Sequence, residues 1–218
     1  MQDLSLDAGA STPACAHAVH FYDQAYPADA ACDFIAAGVR EGEFCTVLLR
    51  APHRHAVEQR LRALGLHPQA RPGQLGSYRS IDTHEALGAM QRDGRLDLAQ
   101  AHDMLAAMLA PAGHNGERRA RAVGDPAPTL LAAGHRDDAV AFEALVDRLV
   151  GAFGAKVFCA YPIAELARIG QMQTLFDICA EHRALDFASE RLWARGFMAA
   201  RGVASSVASA AELGRTHP

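Results

Sequence analysis

Between the apolar segment ending at Leu49 and the helical segment that follows, the chain has no glycine, no lysine and no hydroxyl residue. A phosphate loop needs all three. Glycines let successive backbone N–H groups curl around phosphate, a lysine meets the outer charge, and a Ser or Thr holds magnesium. Arg50-Ala51-Pro52-His53-Arg54 supplies none of them, and Pro52 removes one N–H as well. This argues against ATP hydrolysis by the usual route. It leaves at most a weaker anion site, built from a helix N-terminus with Arg50, Arg54 or protonated His53.

Other absences narrow the function further. No Gly-x-Ser-x-Gly elbow and no His-Glu-x-x-His pair occur. No run approaches the ~18 apolar residues of a membrane span. The first residues, MQDLSLDAGASTPACAH, lack the basic start and apolar stretch of a secretory signal. The 5 cysteines, Cys15, Cys32, Cys45, Cys159 and Cys179, are odd in number and widely spaced, without a Cys-x-x-Cys. That pattern suits reduced thiols and a cytoplasmic location. A net charge of −4 with mixed signs gives no support for a direct nucleic-acid partner. The densest basic run, Glu117 to Arg121, reads as a solvated strand entrance.

What is present is an alternation of short apolar strands with amphipathic helices. HAVHFYD, His17–Asp23, reads as a first strand. A helix follows, with Pro27 in its first turn, Asp29 at its positive end and Gly38 or Gly42 at its exit. Phe44–Leu49 is a buried strand. Pro52–Leu64 is a helix with Val57, Leu61 and Leu64 on one stripe, ended by Gly65. Residues 73–81 form a weaker strand, and Asp82 caps the helix THEALGAMQRDG. A further helix spans Leu96–Leu109, with Leu98, His102, Leu105 and Leu109 on one side. Residues 110–117 form a loop and Arg119–Val123 a strand, with a short helix or turn over 128–134. The longest helix starts at Asp137 or Asp138 and presents Phe142, Leu145, Val146, Leu149, Val150 and Phe153, with Glu143 read as solvated. Gly154 ends it. Lys156–Tyr161 is a strand, and a helix runs from Pro162 to Cys179, with Glu165 solvated. This order predicts an α/β fold with a mostly parallel central sheet covered on both faces. The expected organisation is a flexible segment over 1–16, one domain over 17–183, a helical extension over 184–202 and a disordered tail over 203–218.

Several of these segments together resemble the MEDS family, the methanogen/methylotroph DcmR-type sensory domain. They are HAVHFYD, FIAAGVREGEFCTVLLR, RARAVGDPAPTLLAAGHRDDAVAFEALVDRLV and KVFCAYPIAELARIGQMQTLFDICAEH. The resemblance spans His17 to Arg183. It implies a three-layer RecA/KaiC-like fold with a degenerate nucleotide site, in which Gly38–Leu49 corresponds to the segment preceding the phosphate loop. It also implies a sensory role, proposed for the family to concern hydrocarbon derivatives, often joined to histidine kinases or DNA-binding regions. Many relatives carry a Gly-Glu-Met-like motif where this chain has Gly124-Asp125-Pro126, which keeps the carboxylate one methylene shorter and changes the turn with a proline. No output domain is recognisable after Arg183.

Open α/β sheets bind ligands beyond the carboxyl ends of their strands. That rule selects Tyr22, Asp23, Arg50, His53, Asp125 and Tyr161, with His20 and Cys159 lining the base of a pocket suited to a small, mostly apolar ligand. Each has a plainer alternative: a satisfied core histidine at His20, a helix cap at Asp23, a small core residue at Cys159. No metal site is assigned. His53-x-His55 diverges on a helix, His17-x-x-His20 faces opposite ways on a strand, and Cys179-x-x-His182 lacks a third partner. No cofactor is identified and no catalytic residue is assigned; a Cys159 thiol with His20 as base is the one nucleophilic arrangement the sequence offers. The leading expectation is a non-catalytic sensory domain that binds a small molecule and relays to a signalling protein such as a histidine kinase, or through its own homo-oligomer. The alternatives are a ligand-free protein-interaction module, an enzyme with a degenerate nucleotide site, and redox or metal sensing through a metal held between His20 and the two strand cysteines.

Overall fold

The computed structural model of the chain describes residues 16–68, 77–110 and 118–162, together with residues 174, 177, 178, 180, 182, 184 and 185. Seven parallel strands form one sheet in the order β3-β4-β2-β7-β8-β1-β9. They are β1 (Ala16–Tyr22), β2 (Phe44–Leu49), β3 (His67–Pro68), β4 (Ser77–Asp82), β7 (Ala120–Gly124), β8 (Lys156–Pro162) and β9 (Ala184–Leu185). β5 (Gln91–Arg92) and β6 (Arg95–Leu96) form a separate antiparallel hairpin. Helices α1 (Ala28–Arg40) and α2 (Ala51–Ala63) cover one face of the sheet. Helices α3 (Thr83–Met90), α4 (Leu98–Leu109), α5 (Pro126–Ala132) and α6 (Arg136–Phe153) cover the other. The expected three-layer α/β architecture is what forms.

Local chemistry explains most of the boundaries. Asp82 accepts from the backbone N–H groups of His84 and Glu85 and starts α3 as predicted. Asp97 does the same for α4 through Ala99 and Gln100. α6 ends at Gly154, which takes the left-handed conformation at φ 65°. α1 leaves at Gly42 and passes through Gly38. A Cβ on Gly38 would lie 2.7 Å from Arg121 Cδ and 2.8 Å from Cys45 Sγ, so that glycine serves close packing.

Four expectations need correction. The helix predicted through Gly94 stops at Met90, because Asp93 and Gly94 both take positive φ and turn a tight hairpin. The apolar side of α4 is Ala101, Leu105, Met108 and Leu109, while Leu98 is 47 % exposed and His102 faces outward. The alanine-rich sequence left the phase of that stripe ambiguous. Arg121 is buried, its guanidinium bonded to Glu43, to Glu41 Oε2 at 2.9 Å and to the Phe34 carbonyl at 2.8 Å. Two short strands, β3 and β9, extend the sheet edges; β9 occupies the first residues of the predicted helical extension. Pro162 closes β8, and Thr174, Asp177, Ile178 and Ala180 are helical. Residues 163–173, Glu165, Cys15, Cys179, the loop over 111–117 and the tail from 186 lie outside the described residues.

The chain leaves β2 toward β4 and leaves β7 toward β8, so its connections diverge between two neighbouring strands. Such a divergence opens a crevice at the strand ends. Here it falls between Leu49-Arg50 and Gly124-Asp125.

Candidate functional site

That crevice is closed by a carboxylate. The Asp125 side chain is 1 % exposed. Its Oδ1 accepts from the Arg50 backbone N–H at 3.0 Å and from the Thr83 hydroxyl at 2.6 Å. Its Oδ2 lies 3.1 Å from Arg50 Nε and 2.7 Å from His53 Nδ1. Burial pushes the Asp125 carboxyl up, but the bonds from His53 and Thr83 and the Arg50 charge outweigh it, leaving the group below its ordinary value. Arg50 caps α2, so the carboxylate meets the electropositive helix end with a backbone N–H, a hydroxyl and a cation. These are the kinds of donor that a phosphate would receive. The strand-end crevice thus holds an internal anion. His53 stacks on Tyr26 with centroids 4.1 Å apart, and Tyr22 meets both rings edge-on. The Tyr26 hydroxyl is buried and makes no hydrogen bond.

The sequence-selected residues do not form one pocket. Arg50, His53, Asp125 and Tyr22 cluster at the crevice, and Asp23 is exposed beside them. The pleat then divides the rest. β1 and β8 pair with Val19 opposite Cys159 and Phe21 opposite Tyr161. Cys159 and Tyr161 therefore point toward α6, whereas His20 stacks on Phe158 on the α1 side. His20 cannot serve Cys159 as a base across the sheet.

Cys159 instead meets a different histidine. His17 Nε2 lies 3.6 Å from Cys159 Sγ and 3.1 Å from Glu143 Oε2. Glu143, read from the sequence as solvated, is 0 % exposed. The Tyr161 hydroxyl donates to Glu143 Oε1. His182 Nε2 stands 3.6 Å from Glu143 Oε2. Burial pushes the Glu143 carboxyl up, yet His182, His17 and Tyr161 hold it down at about 2. Burial also pushes the Cys159 thiol well up, and the adjacent Glu143 carboxylate adds to that. The sequence reading set His17 and His182 aside as ligands, each for want of partners, and read Glu143 as solvated; the fold brings all three together. The one available signal was a glutamate on the apolar stripe of α6, one residue after Phe142.

Beside this cluster, a cavity of about 30 Å³ lies between the sheet and the helices α4 and α6. Its walls include Leu105, Met108, Leu109, Phe142 and Cys159. Thr46 also borders it, fully buried, with a hydroxyl that makes no hydrogen bond. The described residues include no helix long and apolar enough to cross a membrane.

Comparison with curated proteins and with solved structures found no significant match. A family model described as the methanogen/methylotroph, DcmR sensory domain matches residues 16–183. With most of its length so matched, and with a mostly parallel sheet covered on both faces, the chain belongs to the MEDS family of sensory domains.

Proposed function

We propose that the domain senses a one- or two-carbon molecule with an apolar body and one polar atom. The molecule occupies the cavity between the sheet, α4 and α6, and its presence is passed to a signalling partner through α4. The observation that carries this reading is the unpaired Thr46 hydroxyl in an otherwise apolar chamber. A buried hydroxyl without a partner costs ~1–3 kcal/mol. A ligand that bonds to it recovers that cost while its carbon atoms cover leucine and phenylalanine. The hydrocarbon-derivative class implied by the family resemblance suits such a chamber. The strand-end crevice is less suited, since both oxygens of Asp125 already accept two bonds each.

Size sets the response range. A cavity near 30 Å³ holds roughly two to three water-sized groups. At a ceiling of ~1.5 kcal/mol per heavy atom, a three-atom ligand binds with Kd no tighter than roughly 0.5 mM. Occupancy then favours the arrangement of α4 that keeps the chamber open, and the partner reads that population. NMR titration with methanol, ethanol and a short haloalkane tests this. Methyl signals of Leu105, Met108 and Val146 should shift in the millimolar range. Thr46→Val should weaken the alcohols more than the haloalkane. Unmoved methyl signals well above that Kd would reject a ligand site and favour a protein-interaction module.

A further inference from the structure

We infer that His17, Glu143, Cys159 and His182 bind one divalent transition-metal ion of the zinc type. The inference goes beyond the small-molecule reading and does not rest on it. The four donor atoms lie within 4.8 Å of one another. Four of the six separations are 3.1 Å (His17 to Glu143), 3.6 Å (His182 to Glu143), 3.6 Å (Cys159 to His17) and 3.7 Å (Cys159 to Glu143). Metal bonds of ~2.0–2.3 Å in a tetrahedral set place neighbouring donors ~3.3–3.7 Å apart. These four separations are close to that spacing, and the other two, from His182 to His17 and to Cys159, are at most 4.8 Å. Two imidazoles, one carboxylate and one thiolate form a mixed set of borderline hardness, which suits zinc, cobalt or iron(II) over calcium or magnesium.

The surroundings orient each donor for this task. His182 Nδ1 lies 2.6 Å from the Ile178 carbonyl, so it carries the proton and leaves the Nε2 lone pair facing the cluster. That Nε2 is buried and makes no hydrogen bond. His17 Nδ1 faces Asp147 Oδ1 at 3.8 Å, outside hydrogen-bond distance but on the side where a carboxylate supports a metal-bound histidine once the ring settles. Tyr161 engages Glu143 Oε1 and leaves Oε2 toward the other three donors. His182 Nε2 has no partner within hydrogen-bond distance, the Glu143 Oε2 beside it standing at 3.6 Å; a cation at the centre satisfies all four donors together. On binding, the Cys159 thiol proton is released to solvent and the sulfur becomes the anionic ligand. The ion would join β1, α6, β8 and the segment that leads into β9, elements far apart in the chain.

Cobalt(II) added to the chelator-stripped full chain tests the site. One equivalent should produce visible d–d bands of tetrahedral intensity and a near-ultraviolet thiolate-to-cobalt charge-transfer band. Zinc should then displace the cobalt and raise the melting temperature by mass action. Cys159→Ser should abolish the charge-transfer band, and His182→Gln should weaken binding. Asp147→Asn, which removes no ligand, should weaken cobalt binding ~10–100-fold. X-ray absorption of the cobalt-loaded wild type should show one sulfur among nitrogen and oxygen neighbours, a readout that needs no variant to fold. Folded wild type without tetrahedral bands, or cobalt without a sulfur neighbour, overturns the proposal and leaves a metal-free hydrogen-bonded network. A cobalt spectrum unchanged by both Cys159→Ser and His182→Gln overturns it as well, because the ion then sits elsewhere.

Discussion

Replacing Asp125 by asparagine keeps the shape of the crevice and removes its charge. Oδ1 still accepts from the Arg50 backbone and from Thr83. The new amide NH2 stands where Oδ2 stood, facing Arg50 Nε and His53 Nδ1. Two charge-assisted hydrogen bonds are lost, each worth ~1.5–3 kcal/mol. His53 recovers part by changing tautomer. The Arg50 side chain, 26 % exposed, recovers part by turning to water. The expected net loss at neutral pH is ~2–4 kcal/mol, or roughly 4–16 °C in melting temperature for a chain of this size. Urea denaturation measures it directly. The pH dependence supplies a second check. The folded carboxyl lies below its ordinary value of 3.8, so its stabilisation is full above that value and lost as pH falls through the folded value. The gap between wild type and Asp125→Asn should therefore be widest near neutrality and close below pH 3.8. Equal stability at pH 7, or a gap that persists undiminished into acid, would refute the account of Asp125 as an internal anion.

Other substitutions probe separate parts of the fold. Gly38→Ala places a methyl against Arg121 and Cys45 and should cost ~1–3 kcal/mol, read from the denaturation midpoint. Arg121→Met leaves Glu43 buried with Lys156 Nζ at 3.0 Å as its remaining cation, so the loss should fall near the lower end of the ~3–5 kcal/mol range for broken buried pairs. Calorimetry decides it, and a neutral result would mean that Lys156 alone compensates. Leu98→Gln should change stability by less than about 0.5 kcal/mol, since this side chain lies outside the apolar face of α4.

The succession of the longer strands and helices, the Asp82 cap, the exits at Gly65 and Gly154 and the missing phosphate loop were readable from the sequence, while the short β3, β5, β6 and β9 were not. Each depends on neighbours within a few residues, where side-chain chemistry acts directly on the backbone. The crevice was readable in part: Arg50, His53 and Asp125 were selected by the strand-end rule, but Thr83 and Tyr26 were not, because neither ends a predicted strand. Folding decided what lay across the sheet. One residue of register between β1 and β8 determines whether Cys159 meets His17 or His20. That register depends on the burial of Val19, Phe21 and Tyr161 under α6, far along the chain. For Glu143 the sequence offered only its place beside the apolar stripe of α6; its burial was decided by the three distant segments that surround it, since a carboxylate's environment is set by what packs around it in space.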